Sequence, residues 1–168
     1  MNNKKVICHD LDNNKFEIKS NKLTFRPSVY GILIENNKIL LSKQWDGYDF
    51  PGGGIKVHET IEEALKREFF EETGLKIEPL FPVHFETSFY IPRKRKDEKK
   101  QYWNCVLIFM LVKNVGGKIS VDNLDEYEKE YTGLPEWIDL KKLKKIKFYN
   151  SVDSISVIKK ACGLLKRK

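Results

Sequence analysis

The amino-acid sequence predicts an α/β protein with a mixed β-sheet, and three observations carry that prediction. Two β-rich runs, 28–35 and 38–45, are separated only by Asn36-Asn37. Asn tolerates positive φ, so the pair reads as a tight hairpin, and hairpins argue against an all-parallel sheet. Residues 60–73 have helical periodicity and end at Gly74, a helix stop. Residues 151–165 repeat apolar side chains at Val152, Ile155, Ile158 and Cys162, which predicts a terminal helix.

The remaining elements follow in chain order. Residues 6–9 and 15–19 flank the turn-like Asp12-Asn13-Asn14 and predict a small N-terminal hairpin extension within residues 1–24. Residues 46–54, rich in Gly with one Pro, read as loop. Residues 84–91 and 102–112 read as strands joined by a charged hairpin loop, 92–100. Val115-Gly116-Gly117 reads as a turn before a short strand at 118–121, and the acidic stretch 122–131 as loop. Trp137-Ile138 reads as strand and 140–146 as a short helical turn. No repeat, Pro/Ser-rich linker or low-complexity tract divides the chain, so the expectation is one domain over residues 1–168.

Composition narrows the class. Hydrophobic residues make up 40% and charged residues 33% of 168, which suits a soluble globular chain rather than a disordered one. No apolar run approaches the roughly 20 residues of a transmembrane helix. The first ten residues lack the apolar core of a secretion signal. Cys8, Cys105 and Cys162 are odd in number and widely spaced, which predicts reduced thiols, a cytoplasmic location and no sulfur-based metal site. The net charge of +7 is compatible with a polyanionic partner, but lysine-rich surfaces also serve solubility alone.

An acidic cluster inside this basic chain is more informative. On the 60–73 helix, Ile61, Ala64 and Leu65 share one face, and the same stripe continues into Glu68 and Glu72 with Glu71 beside them. Burying unpaired carboxylates is costly, and the negative end of the helix dipole adds to the cost. Carboxylates at i, i+3 and i+4 suit a shared hard cation; they also suit a solvated face balanced by lysines. The preceding Phe50-Pro51-Gly52-Gly53-Gly54 favours the cation. Three glycines sacrifice order, which suits a close approach of backbone to a ligand.

In sequence these residues run Gly53, five residues, Glu59, seven residues, Arg67-Glu68-Phe69-Phe70-Glu71-Glu72-Thr73-Gly74-Leu75. The spacing resembles the full Nudix box over Gly53 to Leu75, and the likeness extends through Glu136-Trp137-Ile138. The resemblance implies a Nudix-type α/β/α sandwich, with a mixed sheet and a catalytic loop–helix–loop. It implies Mg²⁺, with Mn²⁺ possible, on Glu68, Glu71, Glu72 and the Gly53 carbonyl. Arg67 would orient the carboxylates, and Glu59 would tie the loop to the helix or add an outer-shell ligand. The activity implied is hydrolysis of a nucleoside diphosphate linked to another moiety. The general base would be Glu68 or a later acidic residue among Glu126, Glu128 and Glu130, with Glu130 nearest the usual position.

His58 and Tyr48 stand where many members have Gly and Trp, and neither belongs to the metal set. Tyr30, Trp45, Tyr48, Tyr90 and Trp103 are candidates for stacking on a base. Three functions compete. The first acts on small nucleotides, nucleoside triphosphates above all. The second acts on RNA 5′ ends, with 93–100 and 141–147 as a phosphate track. The third is a non-catalytic binder, which three convergent carboxylates argue against. No membrane partner is expected, and the sequence leaves oligomeric state open.

Overall fold

The computed structural model describes residues 4–92 and 99–166. The basic run 93–98, central to the expected phosphate track, lies outside them. The N-terminal hairpin forms from β1 (Lys5–His9) and β2 (Lys15–Lys19) in antiparallel register. Strands β3 (Thr24–Glu35) and β4 (Lys38–Gln44) turn through Asn36 and Asn37 at φ 48° and 60°, the left-handed conformation that Asn accepts.

Residues 46–54, expected as loop, contain two short strands. β5 (Gly47–Asp49) pairs with β4, and β6 (Gly52–Gly54) pairs antiparallel with β3. Glycine hides this strand from a propensity reading, yet the packing demands it. A Cβ on Gly52 would lie 2.2 Å from the Val29 carbonyl oxygen, and Gly52 has φ 148°.

Helix α1 (Ile61–Thr73) starts with a reciprocal cap. The Glu63 N–H donates to Thr60 Oγ1 at 3.2 Å, and the Thr60 N–H donates to Glu63 Oε2 at 2.8 Å. Such a cap contributes about 1 kcal/mol. The helix stops at Gly74, at φ 71°. Ile61 does not belong to the buried stripe as expected; it is 42% exposed, and the apolar contact with the sheet begins at Ala64.

β7 (Leu75–Tyr90) is twice the expected length and pairs antiparallel with β8 (Trp103–Gly117). Pro79 and Pro82 disguise its first half. The register shifts between Pro79 and Phe81 and again between Pro82 and His84, bulges that accommodate the missing N–H donors. The expected turn at 115–117 is the end of β8, with Gly117 opposite Leu75, and no strand forms at 118–121. The expected acidic loop holds one turn of helix, α2 (Glu126–Lys129). β9 (Thr132–Asp139), a 3-10 turn at Leu140–Lys145 and α3 (Ser154–Leu165) complete the chain.

The sheet order is β2-β1-β7-β8-β3-β4-β5, with β6 also on β3 and β9 also on β4. The β3–β8 and β1–β7 pairs are parallel and the others antiparallel, so the sheet is mixed. Alternation along the strands divides two cores. Val29, Leu33, Ile108 and Val112 pack with Ala64, Leu65 and Phe69 of α1. Ile32, Leu107, Phe109 and Leu111 pack with Val157, Ile158 and Ala161 of α3. The result is the expected α/β/α sandwich. Cys8, Cys105 and Cys162 are free thiols. Among the described residues no helix is long and apolar enough to cross a membrane.

Candidate active site

The acidic end of α1 meets the glycine strand β6. A Cβ on Gly53 would stand 2.6 Å from Glu68 Oε2, so any side chain here would displace that carboxylate. One turn further along, Glu72 Oε2 accepts from Ser42 Oγ at 2.6 Å and from the Gly52 N–H at 3.3 Å. Glycine and glutamate thus belong to one local construction. Ser42, fully buried on β4, is a partner that no motif announced.

Arg67 organises the loop and helix. Its Nε donates to Glu59 Oε1 at 2.5 Å and its Nη2 to Glu59 Oε2 at 2.8 Å, a bidentate pair. Nη2 also donates to the Gly54 carbonyl at 3.2 Å, while Nη1 reaches Glu68 at 2.7 Å and Glu71 at 3.1 Å. These contacts tie the glycine strand, the loop after it and two helical carboxylates to one guanidinium. Its hydrogen bonds, first among the causes, hold Glu59 down to about 2.

Burial, by contrast, raises the proton affinity of Glu68, with Arg67 opposing and the neighbouring charges of Glu71 and Glu128 adding to the rise. Burial also pushes Glu72 well above the usual carboxylate range, against its hydrogen bond from Ser42. Glu68 and Glu71 turn toward Arg67 and Glu72 toward Ser42. Among the described residues no three acidic, His or Cys side chains therefore converge as they stand. The donor set still fits a hard divalent cation. It is all oxygen, it includes the carbonyl of a residue without a side chain, and it carries partly buried negative charge that a cation would offset. Glu130 follows α2 and is exposed. Glu128, on α2, is the later-loop carboxylate whose charge reaches Glu68.

Beside this cluster lies an aromatic slot of about 140 Å³ between the sheet and the segment that leads into α3. Tyr30, Trp45, Tyr90 and Trp103 line it. Tyr48 does not, because its hydroxyl turns to Glu136 at 2.8 Å. The Arg26 guanidinium stacks on Trp103 at 4.2 Å, and Trp45 stacks on Tyr131 at 4.6 Å. Among the described residues no carboxylate of the acidic cluster lines the slot; the two approach each other through the sheet, where Tyr30 is the register partner of Gly52, whose N–H faces Glu72, and where the charges of Asp49 and Glu72 both act on Tyr30.

Among the described residues that line the slot, Asp49 is the one carboxylate. Its Oδ1 accepts from the Phe50 N–H at 2.7 Å and from Asn150 Nδ2 at 2.9 Å. Burial pushes its carboxyl up to about 6 although both hydrogen bonds oppose the rise. Neither residue carries a local signal, since they meet only by a fold contact across 101 positions.

Comparison with known proteins supplies the class. The family model for the NUDIX domain matches residues 24–156, and the chain belongs to that family. It is a Nudix hydrolase, and its relatives are named as pyrophosphatases and diphosphatases. One is an ADP-ribose pyrophosphatase of Methanocaldococcus jannaschii, 29% identical over 143 residues that cover 80% of this chain and 75% of the relative. Another is an RNA pyrophosphohydrolase of Psychromonas ingrahamii, 48% identical over 58 residues that cover only 32% of each chain. Among solved structures, a NUDIX hydrolase from Nitrosomonas europaea superposes with a TM-score of 0.62 at 15% identity, covering 83% of this chain and 90% of that one. An ADP-ribose pyrophosphatase from Streptococcus suis superposes at 0.56 with 21% identity, covering 80% and 89%. These two likenesses are of fold.

Proposed function

We propose that this chain is a divalent-metal-dependent pyrophosphohydrolase of small nucleotides, nucleoside triphosphates or related compounds, cleaving a diphosphate linkage. The observation that carries the reading is the nearness of a partly buried acidic helix end to an aromatic slot of single-base size. The acidic end suits the metal and phosphates, and the slot suits a planar ring. The long match to an ADP-ribose pyrophosphatase supports a small substrate.

Glu68, Glu71, Glu72 and the Gly53 carbonyl would hold Mg²⁺ or Mn²⁺. When bound, the ion supplies positive charge to the phosphoryl oxygens and acidifies the attacking water. Arg67 keeps Glu59, Glu68 and Glu71 in place through its hydrogen bonds. Glu68 takes the proton of the attacking water. Glu130, on the later loop, is the second candidate for that proton. Arg26 and the slot aromatics hold the ring, with Asp49 and Asn150 supplying polar anchors at the slot wall.

The test is turnover of the purified protein with Mg²⁺ against nucleoside triphosphates, ADP-ribose, dinucleoside polyphosphates and 5′-triphosphorylated RNA. Hydrolysis of a mononucleotide that chelation abolishes is the expected result. No turnover on any substrate, or turnover that survives chelation, would overturn it. A preference for RNA with a steep salt dependence would move the substrate to RNA 5′ ends, as the naming of several relatives suggests.

A further inference from the structure

We infer that the N-terminal hairpin is a substrate-binding wall added to the Nudix domain, and that Leu11 at its turn closes the aromatic slot on the ring of a bound nucleotide. The inference rests on the nucleotide reading of the slot proposed above. The hairpin, residues 5–19, lies wholly outside the matched domain of residues 24–156. Nothing in the box chemistry requires it.

Three observations make it a fixed wall. First, β1 extends the sheet beside β7, with His9 opposite Tyr90 and the Ile91 N–H donating to the His9 carbonyl at 2.8 Å. Cys8 is completely buried beneath it. Second, β2 is clamped from the other side, where Lys100 Nζ lies 5.1 Å from the Phe16 ring and 5.9 Å from the Tyr102 ring. Third, the turn is locked by its own hydrogen bonds. Asp10 Oδ1 accepts from the Asp12 N–H at 3.0 Å and the Asn14 N–H at 2.9 Å, while Asn13 holds φ 61°.

This turn stands where two hollows meet. Leu11 lines the aromatic slot together with Arg26, Tyr90 and Trp103. His9, Asp10 and Asn13 line a neighbouring groove of about 370 Å³. The two hollows share Ser88, Tyr90, Tyr149, Asn150 and Ser151 along their common rim. The acidic cluster approaches the slot through the sheet at Tyr30, so a nucleotide with its phosphates there directs the outer edge of its base toward the hairpin. Among the described residues no Lys or Arg lines the groove, and the one carboxylate there, Asp10, is engaged within its own turn. That lining suits the neutral donors and acceptors of a base edge and not a second phosphate. Leu11 supplies the apolar contact on the ring, and His9 and Asn13 face the edge.

Trp45 and Trp103 line the slot, so binding is read from the full chain by tryptophan fluorescence during titration with ADP, GDP, CDP and UDP in turn. At least one nucleotide should quench the wild type. Leu11→Ala, at a half-exposed turn position, should then raise its Kd about tenfold through lost ring contact. For the hydrolysed substrate, KM should rise in parallel while kcat stays within about twofold, a split that general loosening of the fold would not produce. Asn13→Gly keeps the positive-φ turn and removes the amide, and it should change the ranking of the four nucleotides. Quenching of the wild type with Kd unchanged in both variants would overturn the role of the hairpin alone. A wild type quenched by none of the four would overturn the nucleotide reading of the slot beneath it.

Discussion

Asp49→Asn should stabilise the protein, and by an amount that depends on pH. The carboxyl is raised from 3.8 to about 6 by burial at the slot wall. Below about pH 4 both folded and unfolded chains hold the proton, so the residue costs nothing. Between pH 4 and 6 the unfolded chain releases the proton and the folded chain keeps it. Stability therefore falls as pH rises through this window, and above about 6 the full cost persists. A rise of about two pH units corresponds to at most about 3 kcal/mol at pH 7.5 and to about 1 kcal/mol at pH 4.5. Water in the slot screens part of this, so the measured gain at pH 7.5 should be about 1–3 kcal/mol. Asparagine retains the acceptor for the Phe50 N–H and the Asn150 amide, so both hydrogen bonds survive. The assay is urea unfolding of both proteins at pH 4.5 and 7.5, compared by the shift in midpoint at constant slope. Equal gains at the two pH values, or a variant less stable at pH 7.5, would refute the burial argument.

Further outcomes concern the acidic cluster. Glu72→Gln should lower kcat about 10²-fold or more while thermal stability without metal holds or rises, because the amide removes a buried charge; activity assay and thermal melt check it, and full activity would remove Glu72 from the metal set. Arg67→Lys should lose turnover and local order together, since one ammonium cannot serve Glu59, Gly54, Glu68 and Glu71 in the fork geometry, and amide exchange across 54–60 reads the loosening. In wild type the Arg67 pairing of Glu59 persists above about pH 2 and is lost only as pH falls through that value. Glu68→Gln at saturating Mg²⁺ should cut kcat about 10²–10⁴-fold and Glu130→Gln only mildly; the reverse order, with metal affinity titrated beside each rate, would transfer the base to the later loop.

How much was legible in advance differs by residue. The helix and its stop at Gly74 were, because periodicity and a left-handed glycine are local properties, whereas the reciprocal cap of Thr60 and Glu63 emerged only in the structure. The hairpin at Asn36-Asn37 was too, since φ preference is a property of those two residues. The strand over 75–83 was not, because two prolines mask a pairing that only the neighbour β8 and its bulges make tolerable. Strand β6 was hidden for the opposite reason: its glycines lack propensity, and the crowding by Val29 that requires them is a tertiary fact.

The sequence by itself determined which residues make up the candidate site. Gly53, Glu59, Arg67, Glu68, Glu71 and Glu72 lie within 20 residues, and helical periodicity alone aligns the carboxylates. The tertiary structure decided what surrounds those residues. Ser42 meets Glu72 across 30 positions, Asn150 meets Asp49 across 101, and the Leu11 turn comes to the slot by strand pairing far from the box. Local patterns record backbone geometry and the face a side chain takes. Contacts between distant segments depend on sheet order and register, and these are settled only when the whole core packs.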